Sequence, residues 1–396
     1  MRQHGAKTSR VLIVVNKDWY FLSHRLPLAR ALKSAGFEVL IVCGATGRQQ
    51  EITEAGFEFV MVPFDRGSLN PIKGLKTFYA LRDVYRRKRP DIVHHVGIKP
   101  YLIGSFACLK LRLNRPKIIN TITGLGFLFS GRTWLARFLR AALLPLARLL
   151  EVRLRSNFIF FNSADKDYFT QAGLADLSRA TVIAGSGVDT ARFSKSLQDS
   201  RIGDFVPTVV FCSRLLRSKG LVELVAASKI LRARFVAHRL LVAGERDTSN
   251  PESISGPQLQ DWIDSGVIEY RGFVSDTAAL YAESDIAALP SHGEGLPLFI
   301  LEAMAARLPC VVSDSPGCAA CVVAGETGFI VPVLDTDGLA NSLEILIKDS
   351  HLRARFGANA RARAVALYDE RIIASQITLL YSKILTLNKM NYASGD

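Results

Sequence analysis

The 396-residue chain has no acidic residue between Asp91 and Glu151. It also has no long apolar run. The first run, Val11 to Val15, follows the polar start MRQHGAKTSR, and the longest candidate, Trp134 to Leu154, is cut by Arg137, Arg140, Arg148 and Arg153. A secretory leader and a bilayer-spanning helix are therefore not expected, and the protein reads as soluble or peripheral. Cysteine is scarce. Six in a chain of this size cannot make a disulfide framework, and Cys43, Cys212 and Cys310 sit in runs that read as buried strands, so a reducing cytosol fits. Tandem repeats and low-complexity tracts are missing too. With 49% apolar and 22% charged residues, a disordered, collagenous or coiled-coil chain is excluded. What remains is a globular protein of about two domains, each of roughly 150 to 200 residues.

The net charge of +14 is placed unevenly. Residues 1–200 carry 31 Lys and Arg against 14 Asp and Glu, while residues 201–396 carry 19 against 22. One half is thus suited to anions: nucleic acid, acidic lipid headgroups or phosphorylated substrates. No nucleic-acid-binding motif accompanies the charge, which leaves nucleic acid the weakest of the three.

Short β-branched runs alternate with stretches of helical period from the start. RVLIVV (Arg10 to Val15), FEVLIVC (Phe37 to Cys43), DIVHHV, PKIINTI, NFIFFNS and RATVIAG read as strands, and Ser23 to Gly36 as a helix. The rhythm restarts with PTVVFCSR, HRLLVAG, GVIEYRG, DIAALPS, PCVVSDS and GFIVPV. Strand-helix repetition of this kind implies an α/β fold of two doubly wound, Rossmann-like domains. The expected domains are 1–190 and 191–369, with a polar joint near Asp189 to Phe205 and a last helix, 370–396, that packs back toward the first domain.

Two stretches carry chemistry. In PSHGEGLPLFILEAMAARLPCVVSD (Pro290 to Asp314) a strand ends, a Gly-containing loop follows and a helix begins around Pro297. The free N–H groups and dipole of such a helix start form an anion site suited to a diphosphate. On a regular helix, Glu294 and Glu302 would lie about 12 Å apart, roughly the span from a ribose across a diphosphate to an attached sugar. The second stretch is SRLLRSKG, Ser213 to Gly220, directly after a strand. Arg214 and Lys219 there can neutralise a diphosphate and stabilise it as a leaving group. A capping Glu with an exposed Glu, and a solvated loop, are the plainer readings of the same residues.

GSGVDTARF, SRLLRSKG, RGFVSD, EGLPLFILEAMAARLPCVVSD and GETGFIVP, in this order and spacing, resemble the retaining nucleotide-sugar glycosyltransferases of family 4, which have the GT-B fold with a cleft between two domains. In the first half, WYFLSHRLPLARALKSAGFEV, HHVGIKP and INTITGLGFLFSG resemble a bacterial subgroup that extends polyprenyl-diphosphate-linked saccharides or builds surface polysaccharide. The resemblance implies that Arg214 and Lys219 hold the donor diphosphate. It implies that Glu302 binds the ribose, that Glu294 with Gly295, Leu296 and Pro297 contacts the donor sugar, and that Gly272, Phe273 and Val274 flank the base, usually uracil. For the first domain it implies a catalytic His at His95 or His94, only one of which can face the cleft because neighbouring strand residues point to opposite faces. His24, Arg25, Thr123 and Gly124 are the implied acceptor residues. A UDP-sugar is the expected donor substrate, with no cofactor and no metal. The acceptor is a saccharide, lipid-linked or soluble, with lipid-linked favoured, and the expected location is cytoplasmic, peripheral on the inner face of the membrane.

The chain departs from the family pattern in three places. Asn16, Lys17, Asp18 and Trp19 stand where many relatives have a Gly-Gly loop, Val96 where a second His is common, and Ala320 where Glu is frequent. Cys318-Ala-Ala-Cys321 has the spacing of a redox or zinc pair, but without a second pair it reads as packing. Asp165-Lys-Asp167 and Asp335-Thr-Asp337 read as helix capping. Arg132, Arg137, Arg140 and Arg148, interleaved with Trp134, Phe138 and several Leu, suit an anionic lipid surface. Two other classes share the fold: an epimerase acting on UDP-sugars, and a non-catalytic nucleotide-sugar-binding protein.

Overall fold

The computed structural model describes residues 8–64, 71–111, 115–125, 134–193, 206–248 and 250–393. The chain forms two compact units, Met1–Ser186 with Glu370–Asp396, and Gly187–Asp369. Most of the expected joint, residues 194–205, lies outside the described residues.

The first unit runs β1 (Arg10–Lys17), α1 (Asp18–His24), α2 (Leu26–Ser34), β2 (Glu38–Gly44), α3 (Gln49–Glu54), β3 (Glu58–Met61), α4 (Pro71–Lys88), β4 (Ile92–Val96) and α5 (Ile98–Leu109). It continues with β5 (Lys117–Ile122), α6 (Trp134–Leu154), β6 (Asn157–Phe160), α7 (Ser163–Gln171) and β7 (Ala180–Val182). The second unit runs β8 (Thr208–Cys212), α8 (Leu221–Ala233), β9 (Arg239–Ala243), α9 (Gly256–Asp264), β10 (Glu269–Gly272), α10 (Thr277–Ala282) and β11 (Ile286–Leu289). It is completed by α11 (Leu298–Ala305), β12 (Cys310–Ser313), α12 (Pro316–Ala319), β13 (Gly328–Val331), α13 (Thr336–Lys348) and α14 (Ser350–Arg363), and α15 (Glu370–Ala393) then belongs to the first unit.

Every pairing among the described strands is parallel. The orders are β3-β2-β1-β4-β5-β6-β7 and β10-β9-β8-β11-β12-β13. Helices cover both faces of such a sheet, which is why Val11 to Val15 is continuously apolar and fully buried. Alternate residues divide between two cores. Val11, Ile13 and Val15 pack with Leu28 and Leu32 of α2 and Ile373, Ile377 and Tyr381 of α15. Leu12 and Val14 pack with Leu81, Val84 and Tyr85 of α4 and Ala107 and Cys108 of α5. The chain order reverses at one strand pair in each sheet, β1/β4 and β8/β11. Ligands of open α/β sheets bind outside the carboxyl ends of the strands at such a switch.

Three local expectations are corrected. β3 was not anticipated: it is a short edge strand whose end residues, Glu58 and Met61, are exposed, so its pattern is weak. The helix expected from Ser23 to Gly36 is α2, which starts at Leu26 with Pro27 in its first turn, where the missing N–H costs nothing. The residues before it form a separate helix, α1. Asp18 explains that start. Its buried carboxylate accepts hydrogen bonds from Trp19 N (2.8 Å), Thr46 N (2.6 Å), Arg48 N (3.0 Å) and the Thr46 hydroxyl, tying the end of β1 to the loop after β2.

Burial alone would raise the Asp18 pKa, but the Thr46, Arg48 and Trp19 hydrogen bonds outweigh it and hold the carboxyl below its ordinary value. A folded-state pKa below the unfolded one contributes stability that is present above pH about 4 and is lost as pH falls through the folded value. Asp18→Ala should lower the free energy of unfolding by about 3 kcal/mol at pH 7 in urea titration, because it strands buried N–H groups. The difference from wild type should shrink toward pH 3. A loss below about 0.5 kcal/mol would mean that water replaces the carboxylate.

Candidate functional site

In the second unit the loops leaving β8 and β11 meet over the switch point. Gly220, at φ +77°, is where they touch: a Cβ on it would lie 2.1 Å from the Pro290 carbonyl oxygen. Only glycine fits that approach. Ser218 O then accepts from His292 N (2.9 Å) and from Ser291 Oγ (3.0 Å), fastening the two loops together.

This contact sets the charged groups. Lys219, at the end of a short 3₁₀ turn, pairs with Glu294 across the switch, and both side chains are only 15% exposed. Arg214, directly after β8, donates from Nη1 to Asp247 Oδ2 at 3.1 Å. Both cations expected to hold a diphosphate thus stand at the carboxyl ends of the strands, each with a carboxylate beside it. Asp247, in the loop after β9, was missed in the sequence; its signal was its place after the strand next to β8.

Glu302 lies in the second turn of α11. Its Oε2 accepts from Tyr281 OH at 2.7 Å. Burial raises its pKa above the usual value, and the Tyr281 and Thr277 hydrogen bonds and the nearby Arg192 charge offset only part of that rise. Tyr281 and Thr277 of α10 had no sequence signal, because their role rests on one helix packing beside another. Pro297 is not the first helical residue: it is the cap, in extended conformation (φ −76°, ψ 114°), with Leu298 opening α11. Glu294 therefore lies in the loop before the helix, and the regular-helix span of about 12 Å to Glu302 does not apply. Gly295, Leu296 and Pro297 form the turn into α11, whose first N–H groups have no intrahelical acceptor. Gly272 ends β10, where its carbonyl oxygen accepts from Gly244 N at 2.7 Å, and Phe273, exposed, and Val274 follow it.

In the first unit, His94 and His95 do point to opposite faces of β4, but both are fully buried with both ring nitrogens occupied. His94 pairs with Thr121 Oγ1 and Tyr381 OH, each at 2.6 Å. His95 pairs with Asn120 Oδ1 (2.8 Å) and Tyr85 OH (3.0 Å), and a Cβ on Gly104 of α5 would strike its ring. Burial pushes His94 well below the usual pKa, helped by the Arg25 charge, and pushes His95 down to about 4 against its Asn120 bond. These are neutral core histidines, and neither ring is exposed: each is enclosed in the unit with both ring nitrogens hydrogen-bonded.

Of the other first-unit residues, His24 ends α1 rather than starting a helix, stacked on Tyr20 with its Nδ1 2.6 Å from Ser23 Oγ. Arg25 is the buried residue between α1 and α2. Thr123 and Gly124 follow β5; Thr123 Oγ1 lies beside Gly97 at the end of β4, as does the Asn16 amide at the end of β1, so they border the β1/β4 switch. Arg132 lies outside the described residues. Arg137 is exposed and Arg140 partly so. Arg148 donates from Nε to Ala172 O at 2.7 Å, capping the carboxyl end of α7, so it is not simply a surface charge. Trp134 (78% exposed), Phe138 (65%) and Val152 (73%) stand out on α6, and among the described residues no helix is long and apolar enough to cross a membrane. Cys318 and Cys321 are buried, the Cys318 thiol pushed up to about 12 by burial, which is unreactive packing chemistry. Asp335 caps α13 through Gly338 N; for α7 the cap is Asn162, not Asp165.

The model for "Glycosyl transferase 4-like" proteins matches residues 10–152, and that for "Glycosyl transferases group 1" matches residues 206–349. The chain is 27% identical to the N,N'-diacetylbacillosaminyl-diphospho-undecaprenol α-1,3-N-acetylgalactosaminyltransferase of Campylobacter jejuni, over 92% of this chain and 98% of the other. It is 24% identical to the UDP-Gal:α-D-GlcNAc-diphosphoundecaprenol α-1,3-galactosyltransferase of Escherichia coli, over 84% and 86% of the two chains. Among solved structures, HepE from Anabaena, in complex with UDP and glucose, superposes with a TM-score of 0.72 at 19% identity, over 94% of this chain and 99% of that one. Two doubly wound parallel sheets, loops that gather cations and carboxylates at the second switch point, and these matches along both halves together make the chain a GT-B glycosyltransferase of the bacterial polysaccharide group.

Proposed function

We propose that this glycosyltransferase moves a hexose or N-acetylhexosamine from a UDP-sugar, with retention at the anomeric carbon, to a saccharide carried on polyprenyl diphosphate. The observation that carries the donor side is the convergence of Arg214, Lys219, Glu294 and Glu302 on the β8/β11 switch of one unit. In the structure each cation rests against a carboxylate. A diphosphate takes over from Asp247 and Glu294, and the start of α11 adds N–H donors. Glu302, fixed by Tyr281, accepts from ribose hydroxyls, and Glu294, released from Lys219, accepts from the sugar. UDP in the HepE structure and the UDP-sugar and diphospho-undecaprenol in the relatives' names support the choice of substrates.

The reaction needs no histidine. The acceptor hydroxyl approaches the face of the sugar that the diphosphate leaves; its oxygen bonds to the anomeric carbon as the carbon–oxygen bond to phosphate breaks, and its proton passes to the departing phosphate oxygen. Arg214 and Lys219 stabilise the charge that grows there.

The same reading places the enzyme on an anionic membrane surface, beside its lipid-linked acceptor. Trp134, Arg137 and Phe138 share one exposed face of α6. On α4, Ile72, Leu75 and Tyr79 form a second exposed apolar stripe at helical spacing, between Lys73, Lys76 and Arg82. Apolar side chains flanked by cations suit the lipid headgroup boundary.

Calorimetric titration tests the donor site. Lys219→Ala and Arg214→Ala should each weaken UDP by about 1.5 to 3 kcal/mol, or roughly 10- to 150-fold. Unchanged affinity in both would move the donor elsewhere.

Glu302→Ala should weaken UDP and UDP-sugar alike. Glu294→Ala should leave UDP binding no weaker, since it frees Lys219, while turnover falls at least about 10-fold. Equal UDP losses in the two variants would refute this division of labour.

On the membrane side, the protein should sediment with anionic vesicles at low salt, release at high salt and ignore neutral vesicles. Each cation near the surface is worth about 1 kcal/mol, screened over about 8 Å at physiological salt. Arg137→Glu with Phe138→Ser should therefore lower partitioning at least about 10-fold with UDP affinity intact. Equal binding to neutral vesicles by the wild type would leave the basic half to a soluble anionic acceptor.

A further inference from the structure

The loop after β9 is laid along the loop after β8. Gly244, at φ +132°, opens the crossing: a Cβ on it would lie 1.8 Å from the Ser213 carbonyl oxygen. From there the two loops are joined backbone to backbone. Leu215 N donates to Glu245 O at 2.9 Å, Arg217 N to Glu252 O at 2.8 Å and Ile254 N to Leu215 O at 2.9 Å, with an antiparallel bridge between Leu216 and Ser253. The loop is thus fixed on both sides of Asp247 to the segment that carries Arg214. Between those anchors Asp247 Oδ2 meets Arg214 Nη1 at 3.1 Å, with the Arg214 and Asp247 side chains 39% and 27% exposed.

Asp247 therefore cannot drift from Arg214 as a free counter-ion does. A tethered group competes at the high effective concentration of an intramolecular partner. Glu252, further along the same loop, is engaged elsewhere: its Oε2 accepts from the Ser218 hydroxyl at 2.5 Å.

This competition weighs unequally on the two ligands of a donor site. While the sugar is attached, the terminal phosphate is a diester with a single negative charge. When the carbon–oxygen bond to the sugar breaks, that phosphate oxygen becomes terminal, and the proton it takes from the acceptor hydroxyl passes to water, because the second pKa of such a phosphate is about 6. UDP is left with one charge more than the donor it came from. A carboxylate that shares a guanidinium with it repels the product more than the substrate.

We propose that Asp247 is a product-release residue of this enzyme: its tethered carboxylate retakes Arg214 and displaces UDP in preference to the sugar-bearing donor. This role rests on the donor site proposed above, and Asp247 acts through Arg214 without touching the sugar.

The test titrates the full chain at about pH 8, where the terminal phosphate is ionised, with UDP and with UDP methylated on its terminal phosphate, which keeps the diphosphate at the donor's charge. Asp247→Asn, with Asp247→Ser as a second variant, should tighten UDP about 3-fold or more, as the loss of a partly exposed competing pair allows. The methyl ester should tighten by less than half that factor. In stopped-flow displacement the gain should appear mainly as slower release of UDP. In an Arg214→Ala background Asp247→Asn should have less than half its effect, as coupled groups require. Glu252→Gln, which removes a charge of the same sign from the same loop, should do less than Asp247→Asn. Weaker UDP binding in Asp247→Asn would mean that the carboxylate only orients Arg214, and would overturn the release role. Equal tightening of UDP and its ester, an undiminished effect in Arg214→Ala, an equal effect of Glu252→Gln, or a gain carried by association alone would overturn it too. Arg214→Ala with unchanged UDP affinity would remove the donor site itself, and the release role with it. Weakened UDP in Arg214→Ala together with no tightening in Asp247→Asn would remove only the role of Asp247.

Discussion

A Cβ at residue 220 would come within 2.1 Å of the Pro290 carbonyl oxygen, and the second unit's chemistry depends on that approach being open. It lets the loop after β8 lie directly on the loop after β11, with Ser218 O accepting from both His292 and Ser291. Lys219 is then carried to Glu294, 75 residues away in the chain, across the β8/β11 switch. The start of α11 lies in the same loop, so cation, carboxylate and unpaired N–H groups are assembled by one backbone contact.

The pairing of cations with carboxylates at this site has an energetic reason. A partly buried positive charge without an anion loses hydration, and each of the two cations has a local counter-charge, Asp247 for Arg214 and Glu294 for Lys219. Such pairs are exchangeable. A diphosphate brings more charge and more oxygens than a single carboxylate, which is why the proposed donor can compete for both cations. The first unit is built differently: its half of the sequence carries the excess of cations, and among the described residues its buried Arg25 has no carboxylate partner.

The two histidines show how burial reassigns a residue type. On β4 they alternate between the faces of a sheet covered on both sides, so each ring is enclosed by helices and must find partners inside. His94 finds Thr121 and Tyr381, and His95 finds Asn120 and Tyr85. Both pKa values fall, because burial disfavours the charged ring, and both rings are held neutral inside the unit.

Much was legible in the chain itself. Continuous apolar runs such as Val11 to Val15 announce strands buried on both faces, and their alternation with helical stretches dictates a parallel, doubly wound sheet in each half. The placement of Arg214 and Lys219 after one strand, and of Glu294 before a helix, was also readable, because strand ends and helix starts are local properties of sequence. What the sequence could not determine was every property that depends on a neighbour distant in the chain. The start of α1 rests on Asp18 reaching Thr46 and Arg48; the orientation of Glu302 rests on Tyr281; the Nδ1 partner of His94 is Tyr381, 287 residues away. Edge strand β3, half exposed, carries too faint a pattern to be read alone. Local pattern records which side chains must be buried or can bind an anion, whereas partner, charge state and free hydrogen-bonding edge are set by packing, and only the tertiary structure decided those.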